Sequence, residues 1–240
     1  VRTICSILVA ALAIVLSGPP VQAGGDIAAL DAAMPVPALP VVARGNEPFW
    51  TLTLAEGRMV FTPMVGGPID VPLPTPVATS GGWRYAGEGG LTATLEAGPC
   101  RDSMTGMPHP FTATVVAAGQ AFSGCAGDPV DLLVGREWQV TRIGADPVPA
   151  DVEVTMLFEA EGFVSGSSGC NRFFGGFELS GEGLGFAPSM AGTMMACDEA
   201  RMALERAFLD SLPAITGFDI GAGGELILLA GDRPAIQAAR

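Results

Sequence analysis

Apolar and polar positions alternate at period two along most of the chain. Trp50-Thr-Leu-Thr-Leu54, Leu91-Thr-Ala-Thr-Leu95 and Phe111-Thr-Ala-Thr-Val115 each put every second residue on one apolar face, the pattern of a half-buried strand. Glu56-Gly57 turns the first of these into Met59-Val-Phe61, a hairpin partner. Prolines at positions 63, 68, 72, 74 and 76 exclude a central strand or a helix between Phe61 and Val77, so a loop or ragged edge is expected there. Farther on, Glu137 to Ile143 reads as a strand, and Val152, Val154, Met156 and Phe158 share one face of another. Glu161-Gly162 turns into a strand from Phe163, and Gly181-Glu-Gly183 separates Phe177 from Leu184 and Phe186. Helical spacing is convincing only from Asp198 to Leu212. There Met202, Leu204, Ala207, Phe208, Leu209 and Leu212 make a broad apolar face, and Pro213 stops the helix. Strands at Phe218–Ile220 and Leu226–Leu229 follow. The expected fold is mainly β (α+β): two small antiparallel β-sheet or barrel-like domains, the second with one packed α-helix.

The same pattern sets expected boundaries. Residues 1–23 read as a signal peptide: Arg2 supplies the positive start, Ile4 to Leu16 the apolar stretch, and Val21-Gln-Ala23 the small-residue cleavage site. That stretch is too short to span a bilayer, and no later segment is long enough. Residues 24–43 are an Ala/Pro-rich linker, with a short helix conceivable over Ile27–Ala33. Residues 44–128 form an N-terminal β module, 129–231 a second domain, and 232–240 a loose tail. The expected protein is periplasmic or secreted, cleaved near Ala23, with no membrane span after cleavage.

Composition narrows the partners. The chain carries a formal net charge of −13, and its 12 basic residues are all arginine. Such a surface argues against nucleic acid, which needs a basic patch. Four cysteines follow the signal: Cys100, Cys125, Cys170 and Cys197. Four cysteines allow three connectivities. Pairing within each module gives Cys100–Cys125 and Cys170–Cys197, each closing a loop that contributes about 3–4 kcal/mol on the chain-entropy estimate. No Cys-x-x-Cys is present and His109 is the only histidine, so no metal site or cofactor is expected.

Two motif-rich segments remain. Gly166-Ser-Ser-Gly-Cys-Asn-Arg-Phe-Phe-Gly-Gly176 combines small residues that permit tight turns with an asparagine able to bond backbone groups. Thr193-Met-Met-Ala-Cys197 leads into the helix that bears Glu205 and Phe208. With Trp138 and Phe158, these residues give the stretch from about Leu132 to Leu229 a specific resemblance to the META/HslJ family. The resemblance implies a small antiparallel β structure with one helix packed on it. It also implies an envelope or secreted protein, in a family where some members are linked to heat-shock induction and antibiotic tolerance and no catalytic residues are established. Structural roles are expected for Gly169, Asn171, Arg172, Phe173 and Thr193. The first half carries Gly45-Asn-Glu-Pro-Phe-Trp50, Cys100-Arg-Asp-Ser-Met-Thr-Gly106 and Ser123-Gly-Cys125. It resembles an uncharacterised bacterial envelope module, with Gly45, Asn46, Pro48, Phe49, Trp50, Asp102, Met104 and Gly106 as its motif residues.

Three sharper readings can be weighed on the same residues. Ser167 or Ser168 could be a nucleophile, yet the only histidine lies in the other module and no strand-to-helix Gly-x-Ser-x-Gly elbow is present. Asp102 and His109 could pair as acid and base across one loop, but no substrate site is evident beside them. Met190, Met194, Met195 and Met202 could offer thioethers to copper(I), though methionine more often fills core gaps. The expectation is therefore a non-catalytic exported envelope protein with a binding or stress-tolerance role, acting on an envelope protein or a small ligand. The alternatives are a proteinaceous inhibitor of a periplasmic or secreted hydrolase and, next, a hydrolase.

Overall fold

The computed structural model describes residues 35–240. The expected export signal, and most of the expected linker with its short helix, lie outside the described residues. β1 (Val41–Asn46), β2 (Phe49–Ala55), β3 (Arg58–Pro63) and β4 (Ile69–Pro72) form one antiparallel meander. β5 (Val77–Ala78), β6 (Gly82–Ala86), β7 (Thr92–Arg101), β8 (Pro108–Ala117) and β9 (Gln120–Ala126) form another. Pairing of Ala43 with Ala126 and Arg44 with Cys125 joins the two meanders into one nine-stranded sheet. The alternating residues do what their spacing demands: Trp50, Leu52, Leu54, Leu91, Ala93, Leu95, Ala113 and Val115 all turn into one buried core with Phe61 and Tyr85. The proline-rich stretch supplies the two edge strands, β4 and β5, where a missing amide costs no ladder bond.

The second sheet uses β10 (Trp138–Ile143), β11 (Asp146–Pro147), β12 (Thr155–Glu159), β13 (Phe163–Ser167), β14 (Arg172–Ser180), β15 (Gly183–Phe186) and β16 (Ala191–Gly192) before the helix α1 (Glu199–Ser211). β17 (Gly217–Ile220), β18 (Leu226–Ala230) and β19 (Arg233–Ala239) follow it. The path runs β15-β14-β13-β12-β10-β19-β18-β17, and the Leu184 amide donates to the Thr216 carbonyl at 3.2 Å, drawing its two ends together. Asp198 caps α1 through its side chain, bonding the Arg201 amide. The buried stripe of α1 is narrower than its sequence suggests. Phe208 is buried, Leu204 and Leu209 are half-buried, and Met202 and Ala207 face outward. Phe208 meets Phe173 of β14 edge-on, with ring centroids 5.3 Å apart.

Two expected boundaries are corrected. Residues 232–240 are not a tail: β19 lies between β10 and β18 and buries Ile236 and Ala238. Pro234 and three alanines disguise this strand in the sequence. The structure accommodates Pro234 beside an irregularity in the β18–β19 register, and the neighbours on both sides supply what β propensity does not. Arg240 fastens the end. Its guanidinium donates to the carbonyls of Leu133, Val134 and Arg136 and lies 3.9 Å over the Trp138 ring. At the other end, Val41, Val42 and Ala43 belong to β1 and not to a linker, paired with Leu54, Thr53 and Leu52.

Val36–Arg240 packs as one compact unit, although it contains two sheets and two cores. The loop between β7 and β8 makes the connection. Arg101 donates to the Asp219 carboxylate at 2.9 Å and to the Ile220 carbonyl at 3.0 Å. Met107, six residues on in the first module, is only 9% exposed and belongs to the core of the second. An exposed ion pair contributes little by itself, so the buried methionine carries most of this join. Met107→Ala is expected to cost about 2–4 kcal/mol. Amide exchange should quicken first in β17 and in the Pro129–Leu132 turn, and unchanged protection there would refute the assignment.

Candidate functional site

The two motif-rich segments fold into two separate polar clusters, each beside a disulfide. In the second module the β13–β14 connection carries Ser168, Gly169, Cys170 and Asn171. Gly169 adopts φ +99°, and a side chain there would crowd Val152 and Leu204, so glycine is required twice over. Cys170 is bonded to Cys197, which fixes the segment entering α1 to this connection.

Asn171, almost fully buried, fills every hydrogen-bonding position of its carboxamide. Its Oδ1 accepts from the Thr193 hydroxyl at 2.8 Å and the Met195 amide at 2.7 Å. Its Nδ2 donates to the Met195 carbonyl at 3.3 Å and to Glu205 Oε1 at 3.1 Å. Its backbone amide donates to Glu205 Oε2 at 2.9 Å. Ser168 is wholly buried, with its hydroxyl 2.5 Å from Glu205 Oε2 and 2.7 Å from the Asn171 carbonyl. A hydroxyl has one hydrogen, and the shorter, charge-assisted contact to the carboxylate takes it. Burial alone would push the Glu205 carboxyl up. The bonds from Ser168 and Asn171, with the nearby Arg206 charge, outweigh burial and hold it below the usual range. Arg172 is exposed; its amide donates to the Thr193 hydroxyl, and its carbonyl accepts from the Thr193 amide.

In the first module Gly45 and Trp50 face each other across the β1–β2 hairpin. A Cβ on Gly45 would lie 2.2 Å from the Trp50 indole nitrogen, so only glycine lets that nitrogen donate to the Ser123 carbonyl at 3.3 Å. Pro48 sits at the hairpin tip after a cis peptide, and Phe49 is half exposed. Asn46 Nδ2 donates to Asp102 Oδ2 and the Ser103 hydroxyl, both at 2.9 Å, which brings two motifs 56 residues apart together. Asp102 Oδ1 accepts from the amides of Met104 and Thr105 and from the Thr105 hydroxyl. The Gly106 amide closes the loop onto the Asp102 carbonyl at 2.8 Å. Burial opposes ionisation of Asp102, but these four bonds prevail and hold its carboxyl at about 2. Cys100 and Cys125 form the disulfide beneath this loop, so both expected pairs are present.

The sharper chemical pairings do not assemble. His109 Nδ1 lies 2.8 Å from the Gly127 carbonyl, while Asp102 is committed to its own loop. Ser168 has no imidazole partner and no exposure. Among the described residues no group of three His, Cys, Asp or Glu side chains is placed to hold a metal. A surface cleft of about 530 Å³ is lined by residues including Gln139, Thr141, Asp151 and Glu153, and another of about 410 Å³ by Met190, Leu209, Asp210 and Pro213 among others. Neither cleft includes any motif residue. The sequence did not reveal that Ser168 and Glu205 meet at Asn171, nor that Met195 is gripped through its backbone. Glu205 and Ser168 are 37 positions apart, and backbone atoms carry no sequence signature.

Residues 131–240 match the META domain family, which bears out the resemblance for the C-terminal half and takes it through β19 to the last residue. No curated protein matches the chain. An NMR structure of a protein from Burkholderia xenovorans is similar at 29% identity over 46% of this chain and 84% of that one, with a TM-score of 0.38.

Two predictions follow from the clusters. Asn171→Asp keeps the shape but turns an oxygen toward Glu205 and the Met195 carbonyl, and is expected to cost about 2–4 kcal/mol in urea unfolding at neutral pH. Part of that loss should be regained as acid protonates one of the two carboxyls; an Asn171→Asp protein as stable as the parent would refute the account. For Asp102, the folded pKa lies below the unfolded value. Its stabilisation is therefore complete above about pH 4 and fades as pH falls toward 2. Asp102→Asn should flatten the pH dependence of stability in that window, measured by urea midpoints at each pH.

Proposed function

We propose that the protein is a non-catalytic exported protein of the bacterial envelope, periplasmic or secreted, that acts by binding, with a stress or antibiotic-tolerance role like that of META/HslJ proteins. The observation that carries this reading is the structural commitment of the serine, carboxylates and cysteines in the two motif clusters. The Ser168 hydroxyl donates to Glu205, the carboxylates of Asp102 and Glu205 accept from backbone amides, and the four cysteines outside the expected signal close two disulfides. His109 has a backbone carbonyl at its Nδ1. A general base or nucleophile needs a free lone pair facing a substrate; the oxygens of Ser168, Asp102 and Glu205 turn theirs to the fold, and no imidazole stands beside Ser168 to activate it. The two disulfides suit an oxidising compartment. Among the described residues no helix is long and apolar enough to cross a membrane.

The purified mature protein, cleaved near Ala23 and so without Cys5, is expected to contain no stoichiometric metal and no thiol that reacts under native conditions. About one zinc or copper per chain by elemental analysis, or rapid labelling of the native chain, would overturn the structural reading of the cysteines. A deletion strain should be sensitised to heat or to envelope-active antibiotics, with the protein recovered in the periplasmic or secreted fraction.

A further inference from the structure

Thr193 to Ala196 is an exposed segment whose backbone is tied down on both sides of Met194. Ala191 through Ala196 are all exposed, and Met194 is 98% exposed, the most of any large apolar side chain among the described residues. Yet the segment cannot move freely. Thr193 is paired with Arg172 through both its amide and its hydroxyl, and Asn171 grips the Met195 amide and carbonyl together. Two residues later Cys197 is bonded to Cys170, and the next residue caps α1. Met194 takes part in none of these bonds, so its amide and carbonyl stay open to an incoming partner.

The fold gains nothing from Met194 itself: a fully exposed thioether buries no area. What the clamp achieves is presentation. The backbone of the tip is ordered before any encounter, so its ordering cost does not fall on binding. An unbranched methionine side chain adapts readily to an apolar pocket. Thr193, Met194, Met195 and Ala196 carry no charge, so the complementary surface is an uncharged apolar pocket. Phe174, opposite Ala191 on β14 and stacked on Phe163 at 5.3 Å, adds a half-exposed apolar rim along the same edge.

We infer that this tip is a recognition loop for a secreted serine peptidase with an apolar specificity pocket, which the protein inhibits by seating Met194 in that pocket. Such a cleft recognises one protruding side chain on a fixed peptide whose backbone groups remain available for pairing. The clamp holds both sides of the Met194–Met195 peptide in place, so the loop occupies the cleft without being released. The inference rests on the proposal that the protein binds and does not catalyse.

The test titrates the purified chain against chymotrypsin and subtilisin with a chromogenic peptide substrate, and against trypsin, whose pocket holds a carboxylate. The expected result is stoichiometric, competitive inhibition of chymotrypsin or subtilisin but not trypsin. Met194→Asp should weaken it about 100-fold with an unchanged melting temperature. Met104→Asp, at an exposed site in the first module, should leave inhibition unchanged. Full activity of both enzymes at about 10 µM chain would overturn the inference. So would inhibition that Met194→Asp does not move, or cleavage at Met194–Met195 at the rate of an ordinary substrate. Turnover of the chromogenic substrate by the chain alone would instead count against the non-catalytic reading. Absence of both turnover and inhibition removes only the role of the loop.

Discussion

A buried carboxamide has two lone pairs and two hydrogens to satisfy, and leaving any of them unmet costs more than a net hydrogen bond contributes. In Asn171 all four are met, and each partner comes from a different constraint on the chain: the Thr193 hydroxyl, both backbone groups of Met195, and the Glu205 carboxylate. The β13–β14 connection, the exposed tip and α1 therefore share one centre. The Cys170–Cys197 bond cannot replace it. A disulfide restricts the distance between two points, whereas the carboxamide sets the direction of the backbone between them. Glu205 belongs to the same centre, and its ionised state follows from the donors around it.

The first module reaches a similar arrangement by other means. Asp102 is a local organiser, accepting from the residues just after it, and the Asn46 bond ties its loop to a hairpin far away in sequence. That loop is also the bridge to the second module, through Arg101 and Met107. The Cys100–Cys125 bond lies at its base, so the staple that joins β7 to β9 also positions the residues that dock on the second sheet. Two cores joined by a first-module methionine buried in the second make one compact unit, where the chain pattern alone suggests two neighbours on a short join.

Both clusters spend their polar chemistry on architecture, and that shapes what the protein can do. A serine buried against a carboxylate and a carbonyl is well satisfied and poorly placed to attack. A histidine held to a backbone oxygen is oriented, and it lines neither of the two clefts described. Among the exposed groups, two apolar features are held in place: the Met194 tip by its clamped neighbours and the Phe163–Phe174 stack by pairing of the two rings. Surfaces of that kind recognise partners by shape and desolvation, which is why we propose binding.

Much of this was legible in the residues themselves. Period-two alternation at Trp50–Leu54, Leu91–Leu95 and Phe111–Val115 specifies strands, because a pleated backbone sends alternate side chains to opposite faces. The helix from Asp198 and the two cysteine pairs could be read for the same kind of reason: each is a short-range constraint whose partners lie within a few turns or one loop. The last strand could not. Arg233–Ala239 has weak β propensity and a proline, and becomes a strand only because β10 and β18 stand on either side of it. The meeting of Ser168, Asn171 and Glu205, the passage of Met107 into the other core, and the grip on Met195 were also decided in three dimensions. Local pattern determines how a segment prefers to be shaped. Which distant segments satisfy its buried polar groups depends on the packed fold, where any group left without a partner is paid for in full.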